Sequence, residues 1–207
     1  MFDTDTAKGV LTVIGAVSTL LGFAKSVQLW VWKRKLTWND ALRTAEKLLA
    51  DIQKDDWNPD LVIGLGRSGG IWGGWLAGNL GSLPLGLIDD RYGQGAGGLE
   101  VSFPSGSEVL LALRREHPER TRVLIVEGAT SSGKTLDAFL TFFAPELQGW
   151  DVRLAVLYQS ALSTANVHFV GERLERWPEK FPWHSTESYR PYLRDLFRPT
   201  SVRQSTA

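Results

Sequence analysis

Apolar residues follow two rhythms along this chain. Residues 10–24 carry no charge, and after Lys25 the apolar character resumes to Trp32, before a basic triplet of Lys33, Arg34 and Lys35. From Leu36 the rhythm shortens. Ala41, Leu42, Ala45, Leu48, Leu49 and Ile52 recur every three or four positions behind Thr37, Trp38, Asn39 and Asp40, which predicts an amphipathic helix with a good N-cap. Short apolar runs follow at 61–65, 84–88, 123–126 and 152–158. Runs of this length, alternating with helical stretches such as 71–80, read as the buried strands of βαβ units. The expected fold is α/β, a mostly parallel central sheet flanked by helices, with a single hydrophobic helix added at the N-terminus.

That added helix sets the expected division of the chain: residues 1–35 as a membrane-anchor or oligomerisation helix, 36–185 as the α/β domain, and 186–207 as a C-terminal tail. As one helix, residues 10–32 would reach about 34 Å at 1.5 Å per residue, enough to span a bilayer. Lys25 lies near the C-terminal interface, where it can snorkel. Trp30 and Trp32 beside the basic triplet suit an interfacial belt with a positive-inside flank, which places the α/β domain in the cytoplasm. Gly15, Ser18, Thr19 and Gly22 would let copies of the helix pack into a homo-oligomer, or are simply tolerated there. The alternative is a soluble oligomerisation helix on a cytoplasmic protein. The acidic start, Asp3 and Asp5, and the Trp-rich flank argue against a cleaved signal peptide. Tyr189, Tyr192, Leu193, Leu196 and Phe197 suggest one short helix in the tail.

Composition narrows little. Charges balance to zero, so nothing electrostatic favours nucleic acid as a partner. The absence of cysteine excludes a disulfide scaffold or a thiolate metal site. His117, His168 and His184 lack metal-ligand spacing and read as surface or capping residues.

Two segments carry the chemistry. The run 123–126 ends in Glu127 and continues through Gly128, Ala129, Thr130, Ser131, Ser132, Gly133, Lys134 and Thr135. Small hydroxyl residues, Gly and Lys in a strand-to-helix loop wrap N–H donors and positive charge around a phosphate. Two cradles fit. From Gly128 the spelling is G-x-x-x-x-G-K-T, the nucleotide P-loop. That loop needs an acid at the end of a later strand to help hold Mg²⁺. The one good strand expected after the motif ends in Gln159, and too little chain is expected to remain for a second βα unit. The other segment, Gly64 to Gly70, places Arg67 in a glycine-rich turn after a strand. It serves either as a ligand loop or as a tight turn packing helix on strand.

Taken together, these segments resemble type I phosphoribosyltransferases, and most closely the xanthine–guanine (6-oxopurine) branch. Residues 123–135 are similar to the family's phosphate loop, and Gly66, Arg67, Ser68 and Gly69 to its pyrophosphate loop. Leu36 to Asp40 is similar to the helix that precedes the first strand in that branch, and residues 167–183 to its base-binding hood. The resemblance implies transfer of 5-phosphoribosyl from phosphoribosyl pyrophosphate (PRPP) to a purine-like base, with Mg²⁺ as cofactor and PRPP and a nitrogenous base as partners. The 5′-phosphate would sit on Thr130, Ser131, Ser132, Gly133, Lys134 and Thr135, and the pyrophosphate on Gly66, Arg67, Ser68 and Gly69. Glu127, Ser131 and Lys134 are the catalytic candidates, Glu127 through the ribose hydroxyls. Gln159, Trp177, Phe181 and Trp183 would hold the base. Residues 89–107 correspond to a mobile lid, and Asp89 or Asp90 would assist the metal or merely end a strand.

Three positions depart from the branch: Gly128 stands for a second ribose acid, Ser131 for a loop Asp, and Gln159 for a Lys. Serine without a partner is a poor base, and glutamine carries no charge. A second function therefore stays open, a catalytically impaired PRPP- or nucleotide-binding sensor tethered to the membrane. A decayed enzyme would gain rate from Gly128→Asp and Ser131→Asp.

Overall fold

The computed structural model describes residues 36–95, 98–178 and 180–184. The hydrophobic segment 10–32 and the tail lie outside them. Among the described residues, no helix is long and apolar enough to cross a membrane.

Residues Thr37–Trp177 form one compact unit. It opens with α1 (Trp38–Lys54), whose first turn is closed by a capping box: Thr37 Oγ1 accepts from the Asp40 N–H, and the Asp40 carboxylate accepts from the Thr37 N–H. Such a cap is worth about 1 kcal/mol. The helix buries Ala41, Thr44, Ala45, Leu48 and Ile52, as the three- and four-residue spacing predicted.

The central sheet holds five parallel strands: β1 (Leu61–Leu65), β2 (Leu85–Ile88), β5 (Arg122–Thr130), β6 (Asp151–Ser160) and β7 (Phe169–Leu174), in the order β2-β1-β5-β6-β7. β1 and β5 are buried almost throughout, which is why they read as continuous apolar runs rather than alternating ones. Between them in sequence come α2 (Gly66–Asn79), the antiparallel hairpin β3 (Arg91–Gly95) and β4 (Gly98–Ser102), and α3 (Gly106–Glu116). After β5 follow α4 (Lys134–Phe142) and the short α5 (Ala144–Leu147). α1 and α2 pack on the sheet over β6–β7 and β2–β1–β5 respectively, while α3 covers β2. The core joins Leu61, Ile63, Val123, Ile125 and Leu154 to Leu110, Leu136 and an aromatic trio, Phe103, Phe139 and Phe143.

Two elements differ from expectation. The stretch read as a loose lid contains the β3–β4 hairpin and the start of α3, because Gly and polar residues there conceal a strand pairing. β7 completes the sheet after β6, so the chain does carry a further strand beyond Gln159. Its alternation of apolar residues with Gly171, Glu172 and Arg173 marks an edge strand that periodicity reads weakly. In the other unit, Pro182–His184 forms a 3₁₀ turn, and Phe181 and Trp183 stack with centroids 4.9 Å apart and planes 11° apart.

β7 is started by an exchange between His168 and Leu154. The His168 N–H donates to the Leu154 carbonyl at 3.1 Å, and the Leu154 N–H donates to His168 Nδ1 at 3.1 Å. The ring must be unprotonated at Nδ1 to accept. Desolvation first, and then the Arg153 charge, hold its pKa below the ordinary 6.5. A base with a depressed folded pKa contributes stability above its unfolded value and loses it as pH falls through the folded one. His168→Gln is therefore expected to flatten the loss of stability between about pH 7 and pH 5, read from urea midpoints at both ends of that range.

Candidate active site

The sheet changes its direction of growth between β1 and β5: β2 lies to one side of that pair, and β6 and β7 to the other. In an open parallel sheet, a ligand crevice forms outside the carboxyl ends of strands at such a switch point. β1 runs there directly into α2 at Gly66, and β5 runs through residues 131–133 into α4 at Lys134. Neither helix has a side-chain cap from its N-cap residue, although the Lys134 N–H of α4 donates to Ser132 Oγ at 3.4 Å, and the positive ends of both dipoles lie at the crevice.

The first turn of α2 lies flat across both strands. A side chain at Gly64 would run into the Gly69 carbonyl, and one at Gly69 into the Val126 carbonyl oxygen. Gly66 adopts φ +60°, with the Asp90 carboxylate where its side chain would stand. Arg67 is exposed and Ser68 half-buried, so this turn carries a cation over a backbone that a phosphate can approach closely.

On β5, Glu127 is only 6 % exposed. Burial is the main force raising its pKa, and the Asp90 charge adds to it; a hydrogen bond from Thr130 opposes both, leaving the carboxyl pushed up to about 8. Its Oε2 has no hydrogen-bond partner among the described residues. A buried carboxylate oxygen without a donor is costly and marks a place for a hydroxyl or a cation.

The strand continues through Thr130, with Ala129 opposite Tyr158 and Thr130 opposite Gln159. The loop proper is therefore three residues, 131–133, and not the wide cradle that a triphosphate P-loop needs from Gly128. The strands beside β5 end in Leu65 and Ser160, neither of them an acid. This geometry removes the nucleotide-triphosphatase reading. Ser131, Ser132 and Lys134 are exposed, Thr130 is buried and Thr135 half-buried. Gly133 holds φ +89° with its Cα against Ala165, where an added Cβ would come within 2.7 Å of the alanine methyl. The loop is braced from outside as well, since Thr164 donates to the Ser132 carbonyl from Oγ1 at 3.2 Å and from its N–H at 3.4 Å.

Gln159, expected at the base, is 2 % exposed and donates from Nε2 to the Ala165 carbonyl at 3.0 Å. It fixes the segment that braces the phosphate loop. Of the two candidate metal acids, Asp90 faces the crevice, while Asp89 is exposed and pairs with Arg91 at 3.4 Å. Tyr92 ties the hairpin to the site: its hydroxyl donates to Asp90 Oδ2 at 2.8 Å and lies 3.0 Å from Thr135 Oγ1. Trp177 is 40 % exposed at the end of this unit. Phe181 and Trp183 belong to the other unit. Sequence reasoning missed Tyr92, Thr164 and Ala165, because each acts on a loop residue more than thirty positions away and no periodicity or motif links them.

The profile of the phosphoribosyl transferase domain family matches residues 32–184. Among solved structures, the chain is similar to a purine phosphoribosyltransferase from Pyrococcus horikoshii (23 % identity, TM-score 0.57, covering 73 % of this chain and 93 % of that one). It is also similar to a hypothetical protein from Neisseria gonorrhoeae with bound ppGpp (20 %, TM-score 0.61, 79 % and 96 %). A third is the Helicobacter pylori xanthine-guanine-hypoxanthine phosphoribosyltransferase (15 %, TM-score 0.57, 79 % and 97 %). At these identities the likeness is one of fold. No curated protein matches the sequence.

Glu127 makes stability depend on pH. An unfolded glutamate ionises near 4.5 and the buried one near 8, so between those values the folded chain holds one more proton than the unfolded chain. Stability falls as pH rises through that window and levels off above it. Glu127→Gln is expected to remove this slope and to be the more stable protein at pH 8.5, as read from denaturant midpoints at pH 5.5 and 8.5. Gly133→Ala combines a left-handed backbone with overlap on Ala165. It is expected to cost about 2–4 kcal/mol of stability, measured by urea unfolding.

Proposed function

The chain belongs to the phosphoribosyl transferase domain family, and we propose that it transfers 5-phosphoribosyl from PRPP to a purine-like base, releasing pyrophosphate. The observation that carries this reading is the convergence of two helix N-termini, Arg67 and a buried, partnerless carboxylate oxygen at one switch-point crevice. In the reaction, the bond from ribose C1 to the pyrophosphate oxygen breaks with its electron pair on the leaving group, and a ring nitrogen forms the new bond to C1. Arg67 and the α2 amides would take the pyrophosphate. Residues 130–135 would take the 5′-phosphate, and Glu127 the ribose hydroxyls. Positive charge and oriented N–H groups fixed before the reaction are what stabilise charge separation of this kind.

The residues also fit Mg²⁺. The Glu127 oxygen without a donor and the Asp90 carboxylate beside Gly66 are two hard oxygen donors whose charges already act on each other. Among the described residues no three acids or histidines gather into a cage, which suits a cation whose remaining ligands are diphosphate oxygens and water. When bound, Mg²⁺ would neutralise charge on the departing pyrophosphate. Tyr92, on the hairpin in the position of the expected lid, would have to release Asp90 or Thr135 as ligand enters. Trp177 is the candidate within this unit for covering the base.

Gly128 and Ser131 favour a second reading, a nucleotide-binding module without transfer, and the ppGpp held by the neisserial structure is in keeping with it. The segment 10–32 supplies either reading with a proposed membrane tether or oligomerisation helix, on its sequence alone.

The test is pyrophosphate release from Mg-PRPP by the full-length protein against a panel of purine and pyrimidine bases, with PRPP binding followed by calorimetry. Release with a purine base is expected. Arg67→Ala and Lys134→Ala are each expected to weaken PRPP binding about tenfold or more, as loss of a charge-assisted contact implies. Binding without release under any base would replace the transferase with the binding module.

A further inference from the structure

The family resemblance calls for a second ribose acid at position 128, and the surroundings of Gly128 leave no space for a side chain there. A Cβ built on Gly128 would overlap the Cβ of Ser68, lie 2.7 Å from Ser68 Oγ and come within 3.3 Å of the Ser68 carbonyl carbon. Ser68 sits in the first turn of α2 beside Gly69, where an added Cβ would meet the Val126 carbonyl oxygen, as one at Gly64 would meet the Gly69 carbonyl. The place of a side chain at 128, next to Glu127 along β5, is thus filled from α2 by a serine hydroxymethyl group.

We propose that Ser68 and Gly128 are one coupled feature, in which the Ser68 side chain occupies the seat of the absent carboxylate. The sugar-phosphate end of the site is then read by one carboxylate, Glu127, and one neutral hydroxyl, Ser68 Oγ. This rests on the transferase or PRPP-binding reading for its ligand, and on packing alone for the coupling. It reassigns Ser68, expected only to hold pyrophosphate, to a specificity-determining position. It also reverses the expectation that an acid restored at 128 would raise the rate. Gly128→Asp would drive a carboxylate into the first turn of α2, against Ser68.

The experiment is a double-mutant cycle in the full-length protein, with two independent readouts: thermal midpoint without ligand, and Mg-PRPP affinity by calorimetry. Gly128→Ala is expected to lower the midpoint by several degrees, as overpacking against Ser68 implies. Adding Ser68→Gly is expected to return most of that loss, a non-additivity that distant residues do not show. Ser68→Ala keeps the packing and removes only the hydroxyl. It is expected to leave the midpoint in place and weaken PRPP binding about fivefold to tenfold, as loss of one hydrogen bond implies. Gly128→Asp is expected to bind PRPP more weakly than wild type, and Ser68→Gly with Gly128→Asp to bind more tightly than Gly128→Asp alone. Additive midpoints, or a Gly128→Asp protein as stable and as tight as wild type, would overturn the filled seat. Unchanged PRPP affinity in Ser68→Ala would overturn the hydroxyl contact. A wild-type protein that binds no PRPP would instead remove the ligand reading and the hydroxyl contact with it, and the thermal cycle would still decide the coupling.

Discussion

The close approach of α2 to the carboxyl ends of β1 and β5 is the constraint on which the rest of the site depends. Helix and strands meet backbone to backbone at Gly64 and Gly69, where an added side chain would collide with a carbonyl, while one at Gly66 would meet the Asp90 carboxylate and one at Gly128 the side chain of Ser68. Because nothing separates them, α2 begins on the last residue of β1 with no connecting loop. Its N-terminus then stands at the carboxyl end of β1, the strand that pairs with β5. Glycine weakens a helix by about 1 kcal/mol relative to alanine, and this helix carries Gly66, Gly69, Gly70, Gly73, Gly74 and Gly78. The fold tolerates that cost because packing against β1 and β5 decides the helix, not its intrinsic propensity.

Burial also sets Glu127 apart electrostatically: within the field of Asp90, its carboxyl loses water and its pKa is pushed up to about 8. Such a group is poorly served in the empty protein and well served by a ligand that brings hydroxyls or a cation. The site therefore stores unfavourable solvation that binding would relieve, the usual arrangement of a pre-formed polar pocket.

On the opposite side of the crevice, the phosphate loop owes its shape to contacts distant in sequence. Gly133 takes its left-handed turn against Ala165, Thr164 holds the Ser132 carbonyl, and Gln159 holds Ala165 in place. Tyr92 closes the remaining gap from the hairpin to Thr135. These four braces come from three separate segments, so the loop is as much a product of β6, the turn after it and the hairpin as of its own residues.

From the sequence alone, the strands β1, β5 and β6, the helix α1 with its cap, and the two phosphate-binding segments were legible, because burial on both faces leaves unbroken apolar runs and a helical stripe leaves a period. The glycines and the single Arg67 likewise announced a backbone built for a phosphate. The hairpin, α3 and β7 were not legible, since edge strands and Gly-rich ribbons owe their pairing to partners far along the chain. Local spelling also left the triphosphate P-loop open. Only the register of β5 with β6, which carries the strand through Thr130 and shortens the loop to three residues, closed it. Gln159 could be named from its position, but its direction could not: whether an amide turns toward a ligand or toward Ala165 depends on three-dimensional neighbours. The missing acid at 128 is the clearest case. In sequence it is an absence, and in the tertiary structure it is a space filled by Ser68, because two loops sixty residues apart are packed into contact at the switch point of the sheet.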